Sequence, residues 1–269
     1  MPCPFCKNPE TNKRIKTTKL GYKTFYCPNC KFTYNERTGT PFNDLHFPTD
    51  IILLVVRWRL RYKLSLRDVA EMFIERGFEF TYEAVRDWEE RFTLLLTEKL
   101  RARRKGKAGT SWYVDETYVK VKGKWVYLYR AIDRKGNLVD SRLGKTRDLE
   151  AAKEFFKRAV KIVDHKPERV TTDGHDSCPK ALRKVIGKKV MHRTNHYLNN
   201  RIEQDHRAIK QRYYPTRGFK SFESASRFCS GFDELRNFFN SGPKLGSAVL
   251  RRLQHHARIE VYTSLMKAA

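Results

Sequence analysis

The chain has 269 residues, of which 40% are hydrophobic, so it is long enough for more than one domain with a packed core. Its 56 lysines and arginines outnumber 30 acidic residues and give a formal net charge of +26. An excess this large and one-sided predicts a polyanionic partner, nucleic acid rather than a membrane surface. No apolar run approaches the roughly 18 residues of a membrane span. The first residues also lack the pattern of a signal peptide, so we expect an intracellular protein.

Four of the six cysteines form two Cys-x-x-Cys pairs near the N-terminus, with twenty residues between the pairs. The four are Cys3, Cys6, Cys27 and Cys30. Two such knuckles can hold one Zn²⁺ tetrahedrally, and in a reducing compartment clustered cysteines indicate a metal rather than disulfides. The segment between the pairs predicts a hairpin that turns at Leu20 and Gly21. We therefore predict a structural zinc ribbon over residues 1–42, whereas Cys178 and Cys229 are expected to be buried thiols.

Residues 43–96 have helix-period hydrophobicity and predict a helical DNA-binding domain. A first helix is expected over about 48–61, and Ser65 and Thr81 are expected to cap two further helices on either side of a turn at Gly77. This is the helix-turn-helix pattern, although any three-helix bundle has a similar one. The second helix of such a pair enters the major groove. The predicted DNA-binding residues are Tyr82, Arg86, Arg57 and Arg67.

The rest of the chain predicts a basic linker, an α/β domain and a helical tail. Residues 97–110 are rich in lysine and arginine, which indicates the linker. Over residues 111–240 the pattern predicts three strands, a helix, a strand, a helix, a strand and a helix. That order is typical of a mixed five-stranded sheet with helices on its faces. Residues 241–269 are expected to form the helical tail. The predicted fold class is thus multidomain, with a zinc ribbon, a helical domain and an α/β core.

Three acidic residues of the α/β domain lie where a metal site is expected. Asp115 is on the first strand among apolar neighbours, where a carboxylate needs a cationic partner or a metal. Asp173 follows the fourth strand, at the edge where ligand sites of such sheets gather. Glu203 is predicted in the first turn of the last helix. Carboxylate oxygens from these three places can converge on two divalent cations, Mg²⁺ or Mn²⁺, which serve phosphoryl transfer.

Each acid also has a purely structural explanation. Asp115 can be a core acid paired with an arginine, and Asp173 can be a turn residue. Glu203 fits a capping box that starts at Asn200. Glu116 is expected to point to the opposite face of the strand from Asp115, as a solvated or paired surface acid. Because all three acids fall where one metal site requires them, a shared site explains them together more simply.

Three basic residues follow Glu203 on the face of its helix, by their spacing along the chain. They are His206, Arg207 and Lys210. We predict that they contact DNA phosphates, and a solvated helix face explains them equally well. Trp112 and Trp125 are predicted to be core or sheet-packing residues.

Three segments together resemble the DDE transposases of the insertion-sequence 6 family. They are WYVDETYVKVKGKWVYLYRAIDRKG, TTDG and NNRIEQDHRAIKQR, and the resemblance covers roughly residues 45–240. It implies a ribonuclease H-like catalytic core, with the family's acidic triad on Asp115, Asp173 and Glu203. It further implies binding to terminal inverted repeats, followed by metal-dependent strand cleavage and joining of the 3′ ends to target DNA.

The resemblance also implies double-stranded DNA as the partner, at least a homodimer to hold two DNA ends, and a cytoplasmic, nucleoid-associated location in a prokaryotic cell. Five apolar residues near the C-terminus are expected either to form the interface or to cap the core. They are Phe238, Phe239, Val249, Leu250 and Leu253. Two other functions stay open: a non-catalytic DNA-binding protein derived from a transposase, and a nuclease of the ribonuclease H type. The three acids argue against the first, and the DNA-binding region 1–96 argues against the second.

Overall fold

The computed structural model describes residues 1–173, 177–194, 196–214, 218–240 and 247–267. Its elements are, in chain order, β1 (Asn12–Thr17), β2 (Lys23–Tyr26), β3 (Thr33–Asn35), α1 (Thr49–Arg61), α2 (Leu66–Ile74), α3 (Tyr82–Arg104), β4 (Ser111–Val121), β5 (Lys124–Asp133), β6 (Leu138–Gly144), α4 (Leu149–Val163), β7 (Arg169–Thr172), α5 (Ser177–Val185), β8 (Met191–Thr194), α6 (His196–Tyr213), α7 (Phe222–Phe239) and α8 (Ala248–Lys267). The chain divides into two compact units, residues 1–54 with 263–269, and residues 55–262. Among the described helices, none has both the length and the apolar character that a membrane span requires.

The smaller unit contains a three-stranded antiparallel sheet beside the cysteines. β1 and β2 are joined by a tight turn in which Gly21 has φ 82°, a left-handed conformation that glycine adopts without strain. The predicted hairpin is therefore present. β3, which has no predicted counterpart, pairs with β2 after the second cysteine pair. The rings of Phe25 and Tyr34 stack at 5.5 Å and pack with the buried Cys3 and Cys27.

A five-stranded sheet forms the centre of the larger unit, in the order β6-β5-β4-β7-β8. β4, β5 and β6 pair antiparallel, whereas β7 and β8 run parallel to β4. This confirms the predicted mixed five-stranded sheet with helices. β4 and β5 form a long hairpin whose turn residues, Lys122 and Gly123, both have positive φ. Two-residue turns of this kind match the twist of the strands that they join.

One face of this sheet is apolar and is covered by α4 and α5. Its core includes Trp112, Val114, Tyr129, Phe155 and Phe156, all of them fully buried. α4 begins at the N-cap residue Asp148, whose side chain accepts a hydrogen bond from the backbone of Ala151 at 2.8 Å. The helix places its apolar side chains on the sheet in the predicted way.

The opposite face is covered by α6 and α7 and contains buried ion pairs. Arg130 lies on β5 directly opposite Asp115 and is fully buried. Its Nη2 atom is 2.6 Å from a carboxylate oxygen of Asp233 on α7 and 2.6 Å from one of Asp205 on α6. Breaking such a pair by removing one partner typically costs about 3–5 kcal/mol. The sheet and the two helices are therefore held in a defined arrangement by charges as well as by apolar packing.

The helical segment that follows the cysteines has the predicted start of α2 and of α3, but α3 ends later than predicted. Ser65 and Asp68 form a reciprocal capping box at the start of α2, and Thr81 caps α3. Gly77, in the turn between them, has φ 77°. However, α3 continues to Arg104, so the prediction of a linker over residues 97–110 is wrong for its first half.

The extension of α3 has a physical reason. Leu96 and Leu100 continue its buried stripe. Beyond them, Arg101 and Arg104 contact the buried carboxylate of Glu234 on α7, with Nε–O distances of 2.9 and 2.7 Å. The basic residues that indicate a linker in the sequence are thus partly internal ion-pair partners.

The predicted tail contains α8, while residues 241–246 lie outside the described part of the chain. Of the apolar residues proposed for an interface, Val249, Leu250 and Leu253 are exposed. Phe239 is buried, so it belongs to the core. Cys178 and Cys229 are both buried, as expected.

Candidate active site

Asp115 lies in the middle of β4 with its side chain 12% exposed. One carboxylate oxygen accepts a hydrogen bond from the backbone N–H of Glu116 at 2.9 Å. Burial, reinforced by the negative charges of Asp173, Glu116 and Glu203, raises the pKa of Asp115 to about 7. No arginine or lysine in the described part of the chain forms an ion pair with this carboxylate. The described residues therefore do not support the explanation of Asp115 as a core acid paired with an arginine.

His206 of α6 lies beside Asp115, with its Nδ1 atom 3.7 Å from Asp115 Oδ2. His206 is only 5% exposed, and its Nε2 has no hydrogen-bond partner among the described residues. Burial, together with the positive charges of Arg130 and Lys210, lowers the pKa of His206 to about 2. The imidazole is neutral and internal, so the predicted contact of His206 with DNA phosphates is corrected: this side chain faces the acids.

Glu116 and Asp173 complete a cluster with Asp115. One carboxylate oxygen from each of the three lies within 4.8 Å of the others. Glu116 is paired, which is one of the two predicted alternatives, but it is 8% exposed and therefore lies inside the fold and not at the surface. Its carboxylate forms an ion pair with Arg147, which lies just before α4, and Arg147 Nη2 is also 3.7 Å from Asp173 Oδ2. Arg147 is a residue that sequence reasoning missed, because nothing in the local pattern distinguishes it from other surface arginines.

Glu203 is exposed on α6 and lies outside this cluster of three, although its charge contributes to the raised pKa of Asp115. α6 begins at His196, so Glu203 is in the third turn and not in the first. The predicted position of Glu203 in the first turn of the helix is therefore wrong. The capping box from Asn200 to Glu203, which was the purely structural explanation of Glu203, is excluded by the same observation.

The two other predicted basic residues of α6 differ in exposure. Arg207 is exposed, and Lys210 is half-buried near the neutral His206. Arg207 is thus accessible to solvent or a ligand.

The donor set fits hard divalent cations. Three carboxylates with oxygens within 4.8 Å of one another repel, and this repulsion adds to burial in raising the pKa of Asp115. Carboxylate oxygens are the ligands that Mg²⁺ and Mn²⁺ prefer, and a cation between them would relieve the repulsion. The residues present therefore suit the metal-dependent chemistry that the sequence resemblance implies.

Known proteins identify the family of this chain. A family model described as a DDE domain, of the IS240 type, matches residues 109–241. Two transposases of Staphylococcus aureus are each 41% identical to this chain over 196 residues, which is 71% of this chain and 85% of theirs. One belongs to the insertion sequence-like element IS431mec and the other to the element IS257 in transposon Tn4003. The chain belongs to the DDE transposases of the insertion-sequence 6 family.

Solved structures were also compared with this DDE transposase. The catalytic core domain of HTLV-2 integrase, in complex with magnesium, aligns with a TM-score of 0.38 and 16% identity. The alignment covers 56% of this chain and 99% of that chain.

The cysteine cluster of the transposase precedes the residues that match the DDE domain. The four Sγ atoms lie within 4.8 Å of one another, with 3.5 Å between those of Cys3 and Cys30 and 3.5 Å between those of Cys6 and Cys27. A tetrahedral Zn²⁺ with bonds of about 2.3 Å has sulfurs about 3.8 Å apart. Backbone and side-chain hydrogen bonds from Asn8 and Asn29 lower the pKa of Cys6 to about 6. A backbone hydrogen bond at Phe32 lowers the pKa of Cys30, but burial and the neighbouring cysteines outweigh it and raise this pKa to about 12, so the fit to zinc rests on the positions of the four sulfurs. The four residues fit a closed zinc site.

The predicted DNA-binding residues of the helical segment separate into two places. The guanidinium carbons of Arg67 and Arg86 lie 5.0 and 5.6 Å from the centroid of the Tyr82 ring, so these three form one cationic group at the start of α3. Arg57 lies elsewhere, half-buried with its guanidinium 6.0 Å from the ring of Tyr262. Burial lowers the pKa of Arg57.

The two tryptophans of the sheet also differ. Trp112 is fully buried in the apolar core, as predicted. Trp125 is 57% exposed, so it is not a core residue, and it packs on the sheet surface beside Tyr118, which is the other predicted alternative.

Proposed function

We propose that this transposase binds the terminal inverted repeats of an insertion sequence, cuts a DNA strand at each end and joins the 3′ ends to target DNA. The cluster of Asp115, Glu116 and Asp173 carries this proposal, because carboxylate oxygens this close together are the ligands that divalent cations prefer. The match to the DDE domain supports the same chemistry.

Asp115, Asp173 and Glu203 are the proposed ligands of two divalent metal ions. When bound, such ions activate the attacking oxygen and stabilise the leaving oxygen of a phosphodiester. The chain's own residues prepare the site. β4 fixes Asp115 rigidly, the hydrogen bond from Glu116 N–H orients its carboxylate, and the neutral His206 fills the space behind it without adding positive charge. Glu203, on the exposed face of α6, supplies the third carboxylate.

Arg147 has a proposed positioning role. It pairs with the buried Glu116 and approaches Asp173, so it connects the strand that carries Asp115 with the end of β7. Its ion pair occupies the Glu116 carboxylate, which leaves Asp115 and Asp173 as the proposed metal ligands of this cluster.

The proposed DNA contacts are the Arg67–Tyr82–Arg86 group at the start of α3, and Arg207 and Lys210 on α6. Lysine and arginine contacts with phosphates release counterions, so affinity should fall steeply with salt. Replacement of Arg86 with alanine should weaken duplex binding and reduce the slope of log affinity against log salt by about 1 if it contacts a phosphate. Arg57, half-buried against Tyr262, is proposed as a supporting residue rather than a DNA contact.

The proposal also includes a structural Zn²⁺ on the four cysteines and at least a dimer, because two DNA ends must be brought together. The mass of the complex in solution tests the second point. A monomer that holds both ends would contradict it.

The direct test is strand transfer by the purified full chain on a labelled duplex that carries the inverted repeats flanking its gene, in the presence of Mg²⁺. Wild type should join the labelled 3′ ends to target DNA, and Asp173→Asn should not. Asp164→Asn is the matched control, since Asp164 is an exposed residue with φ 63°, a conformation that asparagine tolerates. DNA binding without joining by wild type would favour a DNA-binding protein that does no chemistry. Cleavage of RNA–DNA hybrids without joining would favour a nuclease.

A further inference from the structure

The end of the β4–β5 hairpin carries large aromatic side chains that are exposed to solvent. Tyr118 is 45% exposed and Trp125 is 57% exposed. A partly open aromatic pair on a sheet is unusual, because these rings supply much of the burial energy of a core. Together with Lys120 we call these residues the aromatic platform.

Cross-strand pairing places the members of the aromatic platform side by side. Tyr118 is opposite Tyr127, and Lys120 is opposite Trp125. The rings of Tyr118 and Trp125 are 6.4 Å apart, and the Nζ atom of Lys120 is 5.6 Å from the Trp125 centroid. The two rings and the ammonium group thus form one continuous surface with a positive edge.

The hairpin that carries the aromatic platform is held rigidly. The backbone N–H of Lys120 donates to the Tyr213 hydroxyl at 2.7 Å, and its carbonyl accepts from Phe219 N–H at 2.9 Å. Lys122 N–H donates to the Phe219 carbonyl at 2.9 Å. These bonds fix the strand next to the turn, so a ligand would meet the rings without first ordering them.

The aromatic platform adjoins the acidic cluster. Tyr118 follows Glu116 by two residues on the same face of β4, which places the two side chains about 7 Å apart. Arg147, the ion-pair partner of Glu116, is close enough to interact electrostatically with the Tyr118 hydroxyl. A nucleotide next to a phosphodiester at the acids would therefore be within reach of Tyr118.

We propose that the aromatic platform binds an unpaired nucleotide of single-stranded DNA, with its base stacked on Trp125 and Tyr118. Rings give base stacking without sequence preference, and lysines beside them attract the backbone. Lys120 lies beside the Trp125 ring, Lys122 and Lys124 are exposed at the turn of the same hairpin, and no acidic residue lies between Lys120 and Lys124 in the sequence. This charge pattern favours a nucleic acid over an apolar protein surface. The inference deepens the proposed function and rests on it, because strand cleavage produces unpaired nucleotides beside the acids.

The first test measures single-strand binding without metal, so that it does not depend on catalysis. The probe is a fluorescently labelled oligothymidylate, and binding of the full chain is followed by anisotropy. Trp125→Ala and Tyr118→Ala should each weaken binding roughly 5- to 150-fold, the range that loss of one stacked base corresponds to. Trp125→Phe, which keeps a ring, should bind within a few-fold of wild type. Tyr214→Ala is the control, because Tyr214 is also an exposed ring but lies outside the hairpin.

Intrinsic fluorescence provides an independent readout. Trp88 and Trp112 are buried and Trp58 is half-buried, so quenching by oligothymidylate should come mainly from Trp125. The quenching should disappear in Trp125→Phe while the anisotropy change remains. Circular dichroism verifies that each variant is folded, and both positions are exposed enough for the fold to tolerate the change.

Wild-type affinity for oligothymidylate in both alanine variants would overturn the inference. A loss of affinity that is equal for oligothymidylate and for duplex DNA would also overturn it, because it would indicate phosphate contacts only. If the two alanine variants bind DNA as the wild type does but have a lower mass in solution, the rings form a contact between protein subunits and the inference is wrong. If the wild type binds oligothymidylate through Trp125 but joins no DNA ends, the proposed transposition is wrong and the platform stands. If ends are joined at the normal rate by both alanine variants that bind normally, only the platform fails.

Discussion

The cysteine cluster and the acidic cluster both fit metal ions, but the chain builds them in different ways. The four cysteines lie within the first 30 residues, in two pairs whose spacing alone brings the sulfurs together. The acids come from the middle of β4, the end of β7 and the third turn of α6. A local cluster can form wherever its short segment folds, whereas a dispersed cluster requires the whole sheet and its helices. The two sites should therefore respond differently to the same kinds of damage.

The largest expected effect is on the cysteine cluster. Cys27→Ser should abolish the bound zinc, because structural Zn²⁺ contributes an apparent 10–16 kcal/mol or so to the folding of small zinc domains. Residues 1–42 should then become sensitive to protease. Zinc content by mass spectrometry and limited proteolysis measure both outcomes. Cys178→Ser, at a buried thiol outside the cluster, should retain the zinc, and retention of zinc by Cys27→Ser would contradict the assignment.

A smaller effect distinguishes the acids from one another. Asp115→Asn and Glu203→Gln should reduce the rate of strand transfer on the order of a thousandfold or more, since each removes a proposed metal ligand. Glu116→Gln should reduce it by roughly 10–100-fold, as expected of a residue that supports ligands without binding the metal. Single-turnover joining of pre-cleaved ends measures all three. Equal losses in Glu116→Gln and Asp115→Asn, with little loss in Glu203→Gln, would replace Glu203 by Glu116 in the metal site.

The acidic cluster should depend on the stability of the sheet and helices that position it, and a variant of the buried Arg130–Asp233 ion pair tests this. Asp233→Asn leaves the buried Arg130 with one partner fewer and should lower the free energy of unfolding by about 3–5 kcal/mol. Strand transfer should fall with it, while zinc content should not change. Glu154→Gln is the control, because its ion pair with Arg142 is exposed and is worth at most about 1 kcal/mol. Chemical denaturation of both variants supplies the comparison, and equal stability of the two would contradict the role of the buried pair.

The smallest effect is a pH dependence. The folded-state pKa of Asp115 is about 7, above its ordinary value of 3.8, so the folded chain holds a proton that the unfolded chain releases between about pH 4 and 7. Stability without divalent metal should therefore decrease as pH rises through this window, by at most about 4 kcal/mol. Asp115→Asn should lack this contribution. An identical pH dependence of the unfolding free energy in wild type and Asp115→Asn would contradict the raised pKa.

Added Mg²⁺ should reverse this loss. Because the metal competes with the proton on Asp115, the increase in melting temperature that Mg²⁺ produces should be larger near pH 8 than near pH 6. If Mg²⁺ raises the melting temperature by the same amount at pH 6 and at pH 8, Mg²⁺ does not bind at Asp115.

Local signals allowed the sequence to predict much of this structure. The cysteine spacing, the caps at Ser65 and Thr81 and the turn at Gly77 each depend on a few neighbouring residues, and each is present. Glu203 shows the limit of such signals. A capping box at Asn200 is locally plausible, but α6 begins at His196 and the box does not form.

Features that depend on distant partners were missed. Helix α7 was not predicted, because the acidic residues Asp233 and Glu234 interrupt the apolar pattern of its buried side. They are buried because Arg130 and Arg104, which are distant in the sequence, pair with them. Glu116 is buried for the same reason, through Arg147. The exposure of Trp125 depends on where α4 begins, since that helix covers Tyr129 but not the end of the hairpin. None of these relations has a sequence-local signature.

The most direct measurement is anomalous diffraction from crystals of the transposase grown with Mn²⁺, recorded at the zinc and manganese edges. The account predicts a zinc signal among the four cysteine sulfurs. It also predicts manganese bound by Asp115, Asp173 and Glu203, with Glu116 still paired with Arg147. Manganese signal that is absent from these acids in crystals that contain the zinc signal would contradict the central claim, that the dispersed acids form the catalytic metal site.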